Sequence, residues 1–416
     1  MITEVCPTPF AFNFRHRRLA HEPLMPSGHH WCKFAICRDR LGTNNIRARS
    51  AKHYCDHAGH RLALRQANER ETMQATKIDI YNHVMPPAYL ELVKKHGKEP
   101  GMVRRVSNLR LLWDIEARVA MLDQWPEVQQ VLTLSVPAPE MLGGPEASPE
   151  FARVANDGMA EMCRKWPHKF PAFVASLPMN NPAAALEEMD RAVETLGARG
   201  IQVLTNVNSR PLDDADFFAV FERITRKHKL PVWMHPARPA SRADYAGEDQ
   251  SKYEIWQVLG WPFESSVAMS RIVFSGLFDR LPDLRMITHH CGGMIPYFAG
   301  RAETLWAQLG SRSVDPAESQ VLQNLQKAPI EYFRMFYGDT VLGGSASALR
   351  CGLDFFGADK VVFASDCPFD PEEGPMFIRE GIRSIESLQL PEGDKRKIYF
   401  GNAIGLLGFP PPAADK

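Results

Sequence analysis

From Lys77 onward, short apolar and β-branched runs alternate with longer amphipathic stretches. The runs are 77–80 (KIDI), 128–135 (VQQVLTLS), 171–177 (PAFVASL), 200–207 (GIQVLTNV), 230–235 (LPVWMH), 284–290 (LRMITHH), 333–339 (FRMFYGD) and 360–366 (KVVFASD). Between them, 114–125 (DIEARVAMLDQW), 182–197 (PAAALEEMDRAVETLG) and 213–228 (DDADFFAVFERITRKH) carry helical periodicity. The last two open on a first-turn proline and an aspartate cap, as helix entries do. Near-continuous apolar strands separated by helices predict a parallel sheet covered on its faces. Eight such units over the stretch from Met73 to about residue 412 predict an α/β fold, a distorted (β/α)8 TIM barrel. No G-x-G-x-x-G follows the first run and no Walker loop occurs, which disfavours dinucleotide and nucleotide binding.

Residues 1–72 break this rhythm. They show no sustained apolar period, and they hold 12 Lys and Arg against 6 Asp and Glu, with half the 14 His and half the 8 Cys. Three readings compete for them. A zinc module on Cys32, Cys37, Cys55 and His57 or His60 lacks paired C-x-x-C or H-x-x-x-H knuckles. A transit peptide would be poor in acids, unlike the opening Met-Ile-Thr-Glu-Val. The favoured expectation is a poorly structured or artefactual N-terminal extension ahead of a start at Met73. The chain's 49 basic and 49 acidic residues cancel, which argues against a nucleic-acid binder. No apolar run reaches the ~18–20 residues of a membrane span.

In a barrel, functional side chains gather where strands end and loops converge. Tyr81, Asn82 and His83 fall at the end of the first run, and His235 at the end of the fifth. His289 and His290 close the sixth, Asp339 the seventh and Asp366 the eighth. Singly, each has a bland explanation: a hydrogen-bonded histidine, or an aspartate capping the turn before Pro368. Jointly, two or three imidazoles and a carboxylate around one mouth match a divalent-metal site. Because consecutive strand residues alternate sides, His289 is expected to face away from His290.

Several motifs run in order along the same stretch: Ile78-Asp79-Ile80-Tyr81-Asn82-His83 with Pro86-Pro87, Trp113-Asp114 with Arg118 and Met121-Leu122-Asp123, His235-Pro236, and Phe274-Ser275-Gly276 with Pro282-Asp283-Leu284. Then come His290-Cys291-Gly292-Gly293 with Pro296-Tyr297 and Gly300-Arg301, Ser365-Asp366-Cys367-Pro368-Phe369, and Gly401-Asn402-Ala403. Together they resemble the amidohydrolase superfamily, in the branch typified by aminocarboxymuconate-semialdehyde decarboxylase. The resemblance implies one divalent metal ion, Zn or Mn, held by His83, His235 and Asp366. The branch's first-strand pair is His-x-His, and this chain has Tyr81 in the first place. Tyr81 is therefore expected to hydrogen-bond substrate or a water at the metal. His290 is implied as general acid/base, with Asp366 sharing the catalytic work.

The resemblance further implies a homodimer in which Arg301 crosses to grip the carboxylate in the neighbouring site. Arg105 (with Arg104) and Arg238 are additional substrate-binding expectations. Where the branch has Trp-Asp after His-Pro, this chain has Ala237-Arg238, so the substrate is expected to differ. The implied activity is non-oxidative loss of CO2 from an aromatic or unsaturated carboxylic acid. A metal-dependent hydrolase or hydratase, and a binding protein that has lost its metal, remain alternatives on the same barrel. Cys163, Cys291, Cys351 and Cys367 are scattered, as in a reducing cytoplasm, and read as packing rather than nucleophiles. The Pro-, Gly- and charge-rich stretches 139–149 and 239–262 are expected to edge the mouth.

Overall fold

The computed structural model describes residues 77–409. The extension 1–72, its cysteine–histidine zinc reading and the Met73 start lie outside the described residues. The strands are β1 (Lys77–Val84), β2 (Val128–Leu134), β3 (Ala172–Phe173 and Ala175–Ser176, interrupted at Val174), β4 (Ile201–Leu204) and β5 (Val232–His235). They continue as β6 (Met286–Thr288), β7 (Tyr337–Asp339) and β8 (Val361–Val362). Each is parallel to the next along β1-β2-β3 and along β3-β4-β5-β6-β7-β8, with both segments of β3 forming one strand. At the interruption, Val174 N–H still reaches β2 at Leu132 O (2.9 Å).

Backbone bonds from the β8 segment close the ring. Ile80 N–H donates to Phe363 O (2.9 Å), Asp366 N–H to Tyr81 O (3.0 Å) and His83 N–H to Cys367 O (2.8 Å). A closed ring has no edge strand, and burial on both faces explains the near-continuous apolar composition read from the sequence.

Ile78, Ile80, Val131, Val174, Trp233, Ile287, Val362 and Ala364 share one apolar cluster with Ala403, Leu406 and Leu407 of the helix Asn402–Leu407. These residues alternate along the strands, so they form the barrel's inner filling. Within it Trp233 is fully buried, and its indole N–H donates to Ile80 O (2.8 Å). A larger cluster packs between the strands and the surrounding helices. The helix Pro182–Glu194 starts at the first-turn Pro182 and is capped by Asn181, whose side chain accepts from Ala184 N–H. Asp114 caps Ile115–Leu122 through Ala117 N–H in the same way.

Two elements depart from the sequence pattern. Stretch 213–228 is one 3-10 turn (Ala215–Phe217), a short α-helix (Phe218–Glu222) and a π turn (Arg223–His228). The widened last turn keeps Ile224 and Thr225 buried before the chain reverses at Lys229, which is left-handed (φ 54°). In run 333–339 only Tyr337–Asp339 is strand, because Pro329 starts a helix reaching Phe333 and the Glu331 carboxylate takes the Ala328 N–H. Among the described residues, no helix is long and apolar enough to cross a membrane.

Truncating the inner filling tests this packing. Trp233→Ala empties the barrel centre and leaves Ile80 O without its donor, so it should lower unfolding free energy by about 3–5 kcal/mol in chemical denaturation. A loss under about 1 kcal/mol would mean that the barrel is not filled as described.

Candidate metal centre and its cavity

At the C-terminal mouth, β1 presents His83, β5 ends in His235, β7 ends in Asp339, and His289 follows β6 directly. Ligand-capable atoms of His83, His235 and His289 lie within 4.8 Å of one another, as do those of His289, His290 and Asp366. Each of the first three imidazoles has its outer nitrogen tied. The Thr133 hydroxyl donates to Asn82 O and sits 3.2 Å from His83 Nδ1, so it accepts the Nδ1–H of that ring. His235 Nδ1 faces Pro236 O (2.7 Å), and His289 Nδ1 faces Asp339 Oδ2 (2.5 Å). These oxygens only accept, which puts the proton on Nδ1 and turns Nε2 toward the mouth.

The inner atoms lack partners. Asp366 Oδ1 stands 3.2 Å from His83 Nε2 and 3.5 Å from His289 Nε2, yet neither nitrogen makes a hydrogen bond. Four of the nine buried side-chain polar atoms without a partner, among the described residues, lie here: Tyr81 Oη, His83 Nε2, His289 Nε2 and His290 Nδ1. Buried polar groups are almost always satisfied, so this cluster calls for a further polar group between them. A divalent cation fits, because imidazole Nε2 and carboxylate oxygen are its usual donors and each outer nitrogen is already oriented by a second residue.

Burial pushes His83 and His235 down, the latter well below the ordinary histidine value, which keeps their lone pairs available. Burial works against protonating His289 as well, but Asp339 and Asp366 outweigh it and lift this ring to about 9. Burial would raise Asp366, yet His289 and His83 hold its carboxyl well below the usual range. Burial and the adjacent His289 take His290 down to about 4. Burial, with Asp339 and Asp366, lifts Tyr81 well above its ordinary value and keeps it a phenol.

The backbone is strained at the same place. His290, Cys291 and Asp366 have φ of 54°, 52° and 63°. Such non-glycine positions cost ~1–3 kcal/mol each and persist where the surroundings impose them. Cys291 N–H is pinned to Asp339 Oδ1 (2.9 Å), the other oxygen of the carboxylate that holds His289.

His83, His235 and Asp366 line a cavity of about 1130 Å3. Trp261 meets His235 edge-on (centroids 5.3 Å) and Phe369 meets His83 likewise (5.6 Å), giving aromatic walls on two sides. Lys98, Arg104 and Arg105 supply positive charge at the wall, and residues from 240–257 complete the rim expected of the 239–262 stretch. Arg105 also stands over the Phe369 ring (5.8 Å) and donates to Phe369 O (3.3 Å).

Two expectations need correction, those for His289 and Arg238. His289 does not face away: β6 ends at Thr288, and beyond it strand alternation gives way to a left-handed turn that sets the His289 and His290 rings side by side (4.1 Å). Arg238 does not line the main cavity, because its guanidinium turns to Glu264 (3.3 Å) and Ala243 O (3.3 Å). Tyr81 is fully buried beneath the histidines, its ring edge-on to His289 (4.0 Å), and it too is absent from the cavity lining. Arg301 sits exposed on the helix Ala299–Trp306, away from the lining of its own chain's cavity. Cys291 and Cys367 are buried with thiols pushed up, Cys367 to about 12, as packing residues are. Sequence reasoning missed the pairing of Asp339 with His289; the signal was there, since both close consecutive parallel strands.

A closed parallel barrel with imidazoles and a carboxylate at its strand ends is the architecture of metal-dependent barrel enzymes. The chain belongs to the amidohydrolase family, whose model matches residues 78–409. It is 28% identical over 360 residues to a 2-amino-3-carboxymuconate-6-semialdehyde decarboxylase of Dictyostelium discoideum, covering 81% of this chain and 93% of the relative. It is 29% identical to a gamma-resorcylate decarboxylase of Polaromonas sp. (strain JS666), covering 71% of this chain and 88% of the relative. Among solved structures, it resembles a dihydroxybenzoic acid decarboxylase from Polaromonas sp. JS666 with bound manganese and the inhibitor 2-nitroresorcinol (TM-score 0.63, 26% identity, covering 80% and 97%). A 5-carboxyvanillate decarboxylase from Sphingomonas paucimobilis is similar at TM-score 0.67 and 26% identity, covering 80% and 99%.

Thr133→Val removes the acceptor that orients His83 while keeping side-chain volume. It should weaken Mn2+ binding in chelator competition roughly 10–100-fold; unchanged affinity would show that His83 is not a ligand held through Nδ1.

Proposed function

We propose that this protein is a metal-dependent, non-oxidative decarboxylase of an aromatic carboxylic acid. The observation that carries the reading is the His289–Asp339 pair set beside His83, His235 and Asp366 at one mouth, where the inner nitrogens of His83 and His289 have no hydrogen-bond partner. His83, His235 and Asp366 would hold the ion, Mn or Zn, and the manganese-bound Polaromonas relative favours the former. When bound, such a cation acts as a Lewis acid and template for a carboxylate and a neighbouring hydroxyl.

The chain's own groups supply the rest. Trp261 and Phe369 flank an aromatic ring, and Arg105 places positive charge on the cavity wall. Loss of CO2 leaves an electron pair on the ring carbon, so that carbon must gain a proton. His289 is suited to deliver it, because Asp339 favours its imidazolium and Nε2 faces the mouth. Nε2–H moves to the carbon bearing the carboxylate, the C–C bond then breaks to release CO2, and its electrons restore the aromatic ring. Asp366, held anionic, serves as ligand rather than donor, and His290 stays neutral beside it. His290, the acid implied by the resemblance, lies beside His289 (ring centroids 4.1 Å) and is the second candidate donor.

A homodimer is part of the same reading. Tyr297 is 78% exposed, and Met294 and Phe298 are exposed beside Arg301. Met294 N–H bonds Ser266 Oγ, which brings Met294 near the helix that exposes Phe263 and Val267, so apolar side chains are exposed on both segments. Such exposure suits self-association, with Arg301 reaching the partner copy's cavity. The free cysteines among the described residues support a reducing, cytoplasmic setting.

Incubating the Mn2+-loaded protein with hydroxybenzoic acids in D2O should release CO2 and leave one deuterium on the ring carbon that lost it. His289→Gln should cut kcat by about 10²–10⁴, and His290→Gln by less. Turnover of an ester or alkene with oxygen taken from water, and no CO2 from any acid, would replace this reading with a hydrolase or hydratase.

A further inference from the structure

Asp366 lies beyond the end of the β8 ladder, which spans only Val361–Val362, and it is left-handed. Strand pairing therefore does not by itself fix the carboxylate. A fully buried polar network does. Asp79 Oδ1 accepts the Ser365 N–H (3.0 Å), and its Oδ2 accepts the Ser365 hydroxyl (2.6 Å) and Gln130 Nε2 (2.8 Å). Ser365 Oγ in turn accepts the Cys367 N–H (3.1 Å), so both neighbours of Asp366 are held.

Arg118 ties this network to His83. Its Nε donates to Gln130 Oε1 (2.8 Å), its Nη1 to Leu111 O (3.2 Å), and its Nη2 to Asn82 Oδ1 (3.2 Å) and Cys367 O (3.2 Å). Cys367 O also accepts the His83 N–H (2.8 Å), so one carbonyl joins the arginine to both ligand-bearing segments. Asn82 is anchored from its amide to Asp79 O (3.1 Å) and Val131 O (3.0 Å). Asp79, Asn82, Arg118 and Gln130 are all 0% exposed.

A buried arginine and carboxylate joined only through a glutamine are a poor way to stabilise a core, since apolar residues of similar volume commonly serve as well or better. The planar fork of Arg118, reaching four acceptors on four chain segments, does what no apolar residue can. We propose that Arg118, Gln130, Asp79 and Ser365 are positioning residues that set Asp366 and His83 at ligating distance, a role resting on the metal-centre reading above.

The test compares Ser365→Ala, Arg118→Lys and Arg118→Met with Ile385→Val, an outer-core control that lowers thermal stability without touching the network. Mn2+ affinity is read by chelator competition, stability by thermal melting of metal-free protein, and kcat and KM on whichever acid the enzyme turns over. Ser365→Ala keeps the fold safest and should weaken Mn2+ binding roughly tenfold or more, lowering kcat with KM little changed. Arg118→Lys retains the charge but not the fork and should not rescue affinity. Should Arg118→Met fail to fold, the other two variants decide. Variants that lose stability like the control yet bind Mn2+ within twofold of wild type overturn the proposal alone; wild-type protein that binds no Mn2+ or Zn2+ overturns the metal-centre reading and the proposal with it.

Discussion

His83 and Asp366 come from opposite ends of the described chain, and they meet because β1 and the β8 segment bond to each other and close the ring. Everything at the mouth depends on that seam. Without it, β1 and β8 would be exposed edges and the histidines of β5 and β6 would face no carboxylate. The seam carries few ladder bonds, so side chains complete it: the Trp233 indole from inside the barrel and the Arg118 guanidinium from the α-helical layer. Folding and ligand placement are thus one constraint seen at two levels.

Burial then sets the chemistry. In a low-dielectric pocket, isolated charges are costly, and the groups at the mouth divide accordingly. His83, His235 and His290 are driven toward neutrality, whereas Asp339 and Asp366 favour the charged form of His289, and His289 and His83 that of Asp366. One protonated imidazole among neutral ones is the asymmetry that acid–base catalysis needs. Asp339 creates it by accepting from His289 with one oxygen and from the Cys291 and Val341 amides with the other.

The barrel was legible in the sequence because all eight strands are buried on both faces and read as apolar runs. His83, His235, Asp339 and Asp366 were legible because each sits at or just past the end of a run. His289 was misread because alternation holds only while the strand lasts, and the left-handed residues after Thr288 are not glycines that would have announced a turn. Arg238 looked available because Glu264, its partner, lies far along the chain on the helix Gly260–Phe274. Asp79 and Arg118 passed as motif residues, since nothing in one sequence says that Gln130 bridges them.

The central claim is that His83, His235 and Asp366 converge on one cation at the mouth. Anomalous diffraction from crystals grown with Mn2+ tests it most directly. The expected result is a single strong peak bonded to His83 Nε2, His235 Nε2 and the Asp366 carboxylate at about 2.0–2.3 Å, with His289 Nε2 free to face a bound aromatic acid. A peak placed instead at the surface group Asp190, Glu194 and His228, or none at the barrel mouth, would contradict it.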